Sequence, residues 1–362
     1  MYLPLPLTFP TPTKRGLNIK VPRDFATPQD ALDFLRGSIV ADVTVDIAAG
    51  TYEQSLIIRD IYALGNPPLD IGDVAYDASR HGLAIRMDGY TDRVAPAVTV
   101  QRITSQVRNV AVCGIRANLN GMATNLNWGF AASGGASLFA YDCLADNAGG
   151  VNLSNNFGIG FGAYSGGFLR AYRATARNCQ NGFQSLRNSR LFAPAAVAEF
   201  NKAYQYAAND LSLLLASNSQ ARGPSGYWSD LGSHLIADAS TFTGTLPASS
   251  FGFYATNGSR LNCNNAVATG GFLGAYGYLG SYVVANGMRS TGNAYGFYAH
   301  SSGTVACTSA IVQNASAVGY FAANDGRIHA VSTVATNSGN ATNYSPATSG
   351  TPGNSNAVII YS

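Results

Sequence analysis

The feature that most constrains this 362-residue chain is a unit that recurs from about residue 128 onward. GFAASGGASLFA (129–140), GFGAYSGGFLRA (160–171), GFQSLRNSRLFA (182–193), GFYATNGSRLNC (252–263), GFYAHSSGTVAC (296–307) and GYFAANDGRIHA (319–330) share one plan. An aromatic follows Gly, a polar turn with Gly or Asn comes a few residues later, and a second alternating stretch opens on Leu, Val or Ile. The marker rings lie 31 residues apart from Phe130 to Phe161, then 22 to Phe183, 70 to Phe253, 44 to Phe297 and 23 to Tyr320. All but the first are near multiples of 22 to 23, and GGVNLSNNFG (149–158) is the candidate insertion in the first.

Leucine-rich repeats and β-helices share periods in the twenties, so the interior of the unit must choose between them. Each unit holds two or three period-two stretches divided by Gly/Asn turns and no helical stretch, which predicts an all-β, right-handed, single-stranded parallel β-helix. Like residues then stand over like at ~4.8 Å, and the Phe of each Gly-Phe pair is expected to stack inside the coil. Asn147, Asn181, Asn201, Asn265, Asn286, Asn314 and Asn337 recur where tight turns are expected, since Asn tolerates left-handed backbone angles. Composition agrees: charged residues are 11%, too few to coat ordinary helices, while 46% hydrophobic content argues against disorder.

Four segments follow. Residues 1–22 carry Pro4, Pro6, Pro10, Pro12 and Pro22 and read as an extended attachment arm. Residues 23–116 open with a helix, with Thr27 as N-cap, Pro28 in the first turn and Gly37 past the end. The first coils follow there, interrupted by a loop in NPPLDIGDVAYDASRHG. Residues 117–345 form the main rod, although 204–250 break the repeat: LSLLLA and HLIADAS there still look like strands, while ARGPSGYWSDLGS (221–233) reads as a protruding loop. Residues 346–362 form a linker and a short apolar strand, Val358 to Tyr361, that needs a partner.

Charge and cysteine content exclude several classes. Residues 1–116 hold 12 of 19 acids and 12 of 22 bases, and a net charge of +3 with no basic cluster beyond Lys14-Arg15 argues against nucleic acid. Cys113, Cys143, Cys179, Cys263 and Cys307 are widely spaced and read as buried small hydrophobes. The N-terminus lacks the order of a secretory signal, and no apolar run reaches the ~20 residues of a membrane span, so cytoplasmic production without membrane insertion is expected.

The run PRDFATPQDALDFLRG, followed by VTVDIAAGTYEQSLIIRD, resembles the opening module of pectin-lyase-like β-helices, in which a short helix caps the first coil and a G-T-Y turn follows the first strand. With the proline-rich arm, the chain is similar to tail-fibre and tailspike proteins of tailed bacteriophages, over roughly residues 21–345. The resemblance implies a homotrimeric structural protein of the virion, made in the host cytoplasm. It would join other tail proteins through residues 1–22 and attach to a host-surface polysaccharide or lipopolysaccharide.

Relatives of that fold also cleave polysaccharides, so a depolymerase is the alternative, and it needs paired carboxylates. Asp142 with Asp146, flanked by Arg170, Arg173 and Arg177, is one candidate; Asp230 and Asp238, near His234, are the other. Each also reads as an ordinary ion pair or loop residue. His81, His300 and His329 are isolated, and neither a metal nor a cofactor is expected. For receptor binding the candidates are Tyr227 and Trp228, together with Tyr276, Tyr278 and Tyr282 on one face of a strand. Tyr254, Tyr295, Tyr298 and Tyr320 lie in neighbouring coils, and a subunit interface is the competing use of these rings.

Overall fold

The computed structural model describes residues 14–65, 81–118, 128–146, 158–245, 250–336, 342–346 and 358–361. They wind into about 12 turns of a right-handed parallel β-solenoid with one α-helix. Three long sheets run along the rod. The aromatic sheet has 12 strands, from Ser55–Ile58 to Thr342–Pro346; the long sheet has 14, from Asn18–Val21 to Val358–Tyr361; the third sheet has 12, from Gly50–Thr51 to Val334–Thr336.

Register explains why coils of 21 to 31 residues hold such a rod together, because each sheet sends one kind of side chain inward. The long sheet contributes an aliphatic column, with Leu138, Leu169, Leu191, Leu214, Leu235 and Leu261 paired rung to rung. The third sheet contributes alanines, Ala117, Ala145, Ala176, Ala198 and Ala221, whose small volume leaves room for rings from the aromatic sheet. Those rings are Phe130, Phe161, Phe183, Tyr206, Tyr227 and Phe253, stacked at 4.6 to 4.9 Å and at most 9° from parallel. The buried phenols are satisfied: the Tyr206 hydroxyl donates to the carbonyls of Ala196 (2.9 Å) and Gln220 (3.1 Å).

The corner between the aromatic and long sheets is a two-residue turn with both residues at positive φ. It recurs as Ser165-Gly166, Arg187-Asn188, Asp210-Leu211, Leu231-Gly232, Asn257-Gly258, Leu279-Gly280, Ser301-Ser302 and Asn324-Asp325. This is the turn anticipated from the Gly- and Asn-rich segment of the repeat. Asn265 and Asn314 also take left-handed angles, at the other two corners. Asn201 acts differently: fully buried, it accepts from Cys179 N at 2.9 Å and donates to the Ala176 carbonyl at 3.2 Å.

The expected helix forms over Pro28–Phe34, with Thr27 accepting from Asp30 N. Gln29 on this helix accepts from Ile57 N at 2.8 Å and donates to Ile57 O at 3.3 Å, so the helix occupies the first edge strand of the aromatic sheet. At the other end Val334, Val358 and Ile360 are exposed.

Three expectations need correction. Residues 204–245 do not interrupt the solenoid: the strands expected in LSLLLA and HLIADAS form as Leu213–Leu215 and His234–Ile236, and Tyr206–Ala208, Gln220–Gly223, Ser225–Ser229 and Thr241–Gly244 are regular rungs beside them. The protruding loop at 221–233 is therefore absent; Pro224 sits at the corner between two strands, where it breaks no ladder. The arm cannot extend to residue 22, because Asn18–Val21 pairs with Val43–Ile47 and Lys14–Arg15 pairs with Ile39–Ala41. The terminal strand Val358–Tyr361 does find a partner, Arg327–Val331. The rest of the arm, the loop at 66–80, the insertion up to residue 157, Asn147, Asn337 and most of the C-terminal linker lie outside the described residues. All five cysteines are free and buried.

Candidate functional site

Alternation along the aromatic sheet turns every second side chain outward, and in the C-terminal half of the rod those outward positions are also aromatic. The register runs Trp228, Tyr254, Tyr276, Tyr298, Phe321 over five successive coils. Tyr254 and Tyr276 stack at 4.9 Å, Tyr276 and Tyr298 at 4.8 Å, and Tyr298 meets Phe321 at 5.0 Å. Tyr204 lies against Trp228 at 4.1 Å. Tyr295 flanks Tyr298 at 5.5 Å, and Tyr278 flanks Tyr276 at 5.6 Å and His300 at 5.5 Å. All of these side chains are half-buried.

Because neighbours cover the ring faces, the stacked part of the column presents ring edges outward. Burial pushes the Tyr204 phenol up to about 12 and raises those of Tyr254, Tyr276 and Tyr298 above the ordinary tyrosine value. These hydroxyls remain protonated donors at any ordinary pH.

The sequence-derived candidates divide. Trp228, Tyr276 and Tyr278 belong to this face. Tyr227 does not: it is 1% exposed, sits in the inner stack and bonds to Ser219 Oγ at 2.9 Å. Period two sends one of two adjacent aromatics in and the other out, and the loop expected there concealed the choice. Tyr282 does not share a face with Tyr276 and Tyr278; it lies past the Leu279-Gly280 turn on the long sheet, with the Arg260 guanidinium 5.8 Å from its ring. Tyr320 belongs to the inner stack, 5.1 Å from Phe297. Residues the sequence did not single out for the outer face are Tyr204, Phe321, Trp128 and Tyr164, none of which stands in a Gly-aromatic pair.

Each candidate carboxylate is tied into the scaffold. Asp142 accepts from the Tyr90 hydroxyl (2.7 Å), Arg93 N (3.1 Å) and Arg173 (2.7 and 2.8 Å). Beside it a groove of about 500 Å³ is lined by Arg93, Pro96, Arg173 and Thr175. Asp146 is 3% exposed and pairs with Arg116 at 2.7 Å and Arg177 at 2.9 Å. Burial alone would raise its pKa, but Arg177, Asn178 and Arg116 outweigh that and hold it below the usual carboxylate value. Arg170, grouped with these acids in the sequence, is 1% exposed. Asp230 caps the Leu231-Gly232 turn by accepting from Leu231 N (2.8 Å) and Asn257 Nδ2 (2.7 Å). Asp238 accepts from the backbone and side chain of Asn264, at 2.8 and 3.0 Å, at a different corner. Among the described residues no group of His, Cys, Asp or Glu is arranged to hold a metal, and no helix is long and apolar enough to cross a membrane.

No family model matches the chain, and no curated protein does. Among solved structures it is similar to a point mutant of the periplasmic alginate epimerase AlgG, at 10% identity over 91% of this chain and 83% of that one, with a TM-score of 0.46. It is also similar to the A-module of the Azotobacter vinelandii mannuronan C-5 epimerase, at 14% identity over 94% and 98%, with a TM-score of 0.37. At such identities and scores neither likeness says anything of this chain's function.

Proposed function

We propose that this chain is the recognition rod of a virion tail fibre or tailspike, and that it binds a host-surface polysaccharide or lipopolysaccharide along the outer face of the aromatic sheet. One observation carries the reading: an ordered exterior column, Trp228 to Phe321, on a sheet face that would ordinarily be polar. Ring edges suit the C–H patches of a sugar and phenol oxygens suit its hydroxyls, and each tyrosine is ordered before a ligand arrives. Assembly as a homotrimer and docking through the N-terminal residues belong to the same proposal, by the resemblance of the opening module.

The depolymerase reading would need an acid and a base, and Asp142, Asp146, Asp230 and Asp238 are engaged with arginines, asparagines or main-chain amides. The purified protein should bind surface polysaccharides of its host without releasing reducing ends or unsaturated products. The double variant Tyr276→Ala, Tyr298→Ala should bind at least about tenfold more weakly. Unchanged binding by a variant whose melting temperature is preserved would remove the aromatic column from the function, and product release would replace recognition with catalysis.

A further inference from the structure

Nearer the amino-terminal end the outer face of the same sheet changes character. Trp128 is half-buried there, and its indole lies against the backbone of the next coil: a Cβ built on Gly162 would stand 2.7 Å from Trp128 Cε3 and 2.8 Å from Cζ3. Glycine at 162 is thus what lets the indole lie flat. Tyr164 meets the indole edge-on at 5.6 Å and 90°, and the Arg187 guanidinium sits 4.9 Å from the Tyr164 ring while donating to its hydroxyl. Together these form a groove of about 720 Å³, within the range of small-molecule sites. Its apolar lining includes Trp128, Ala131, Tyr164 and Leu186, and its polar groups include Arg187 and Asp210.

An apolar lining with a donor and an acceptor among its polar groups selects a ligand that is apolar on one side and hydroxylated on the other. A macromolecular partner would be met by a broad flat patch; this groove is concave and the size of a small ligand. Resting on the reading of the chain as a glycan-binding rod, we propose that the groove is a separate subsite for a hexose bearing a methyl group, either as an N-acetyl or as a deoxy carbon. The methyl-bearing side of the ring lies on Trp128 and Leu186, and the hydroxyls meet Arg187 and Asp210.

The test uses the full chain and three free monosaccharides as probes: N-acetylglucosamine, a 6-deoxyhexose and glucose. At least one methyl-bearing probe should bind about tenfold or more tightly than glucose, the discrimination one extra methyl group provides in an apolar pocket. Saturation transfer in NMR should be strongest at its methyl protons, and which probe binds decides between the two methyl sources. Trp128→Ala should abolish this binding. Gly162→Ala, which displaces the indole, should weaken it while the melting temperature and the affinity of the tyrosine column for polymeric glycan stay as in the parent protein. Equal binding of all three probes, or retention of binding by folded Trp128→Ala, overturns the subsite and leaves the rod's function standing. Failure to bind any glycan, polymeric or monomeric, overturns both.

Discussion

Asp146 shows how a charge is kept in a wall of such low charge content. Its carboxylate is almost fully enclosed, and its arginine partners come from the coils before and after, so one side chain pins three rungs. With a folded pKa below the ~3.9 of an unfolded aspartate, it stabilises the rod fully at pH values above that figure and loses the contribution as pH falls through the lowered folded value. Asp146→Asn should cost about 1 kcal/mol at neutral pH, a modest figure because both arginines are part-exposed, and should flatten the fall of melting temperature below about pH 4. An unchanged acid profile would mean that the cluster contributes nothing to folding. The repeat already placed Arg177 of the next coil beside Asp146, but not Arg116, which lies 30 positions earlier and is brought to the carboxylate by the winding of the preceding coil.

Elements were far more legible than residues. Gly-aromatic pairs gave the pitch because a ring that must stack on its neighbour cannot drift in register, and the helix was legible from Thr27 and Pro28 because its N-cap chemistry is local. What hid two rungs was substitution within the rule: Tyr206 follows Gln205 instead of Gly, and Tyr227 stands in a segment whose Pro and Gly mimic a loop. The 70 residues from Phe183 to Phe253 are therefore three coils, marked by Tyr206 and Tyr227 in the inner stack. Phe183 lies in the middle of six stacked rings, so Phe183→Ala should cost about 3–5 kcal/mol by thermal or denaturant unfolding. Phe183→Asp should yield no folded rod, because a carboxylate there would have no partner. A stable Phe183→Asp protein would contradict the inner stack.

For the whole molecule, the rod spans about 58 Å if its coils repeat at ~4.8 Å. Its two ends are unlike: a helix occupies the first edge, whereas Val334, Val358 and Ile360 are exposed at the last. Removing residues 1–13 should leave the solenoid intact, while removing 1–22 strips the first strand of the long sheet and should lower the melting temperature. Equal stability of the two truncations would show that Asn18–Val21 adds nothing. The paired left-handed turns, from Ser165-Gly166 to Asn324-Asp325, carry one more implication. Every coil is fastened to the coils on either side by three ladders, so a peptide bond severed at a tip such as Ser301-Ser302 frees no fragment. A rod nicked many times by proteases would keep its shape, and its lifetime in a digestive environment would depend on whole coils peeling from an end.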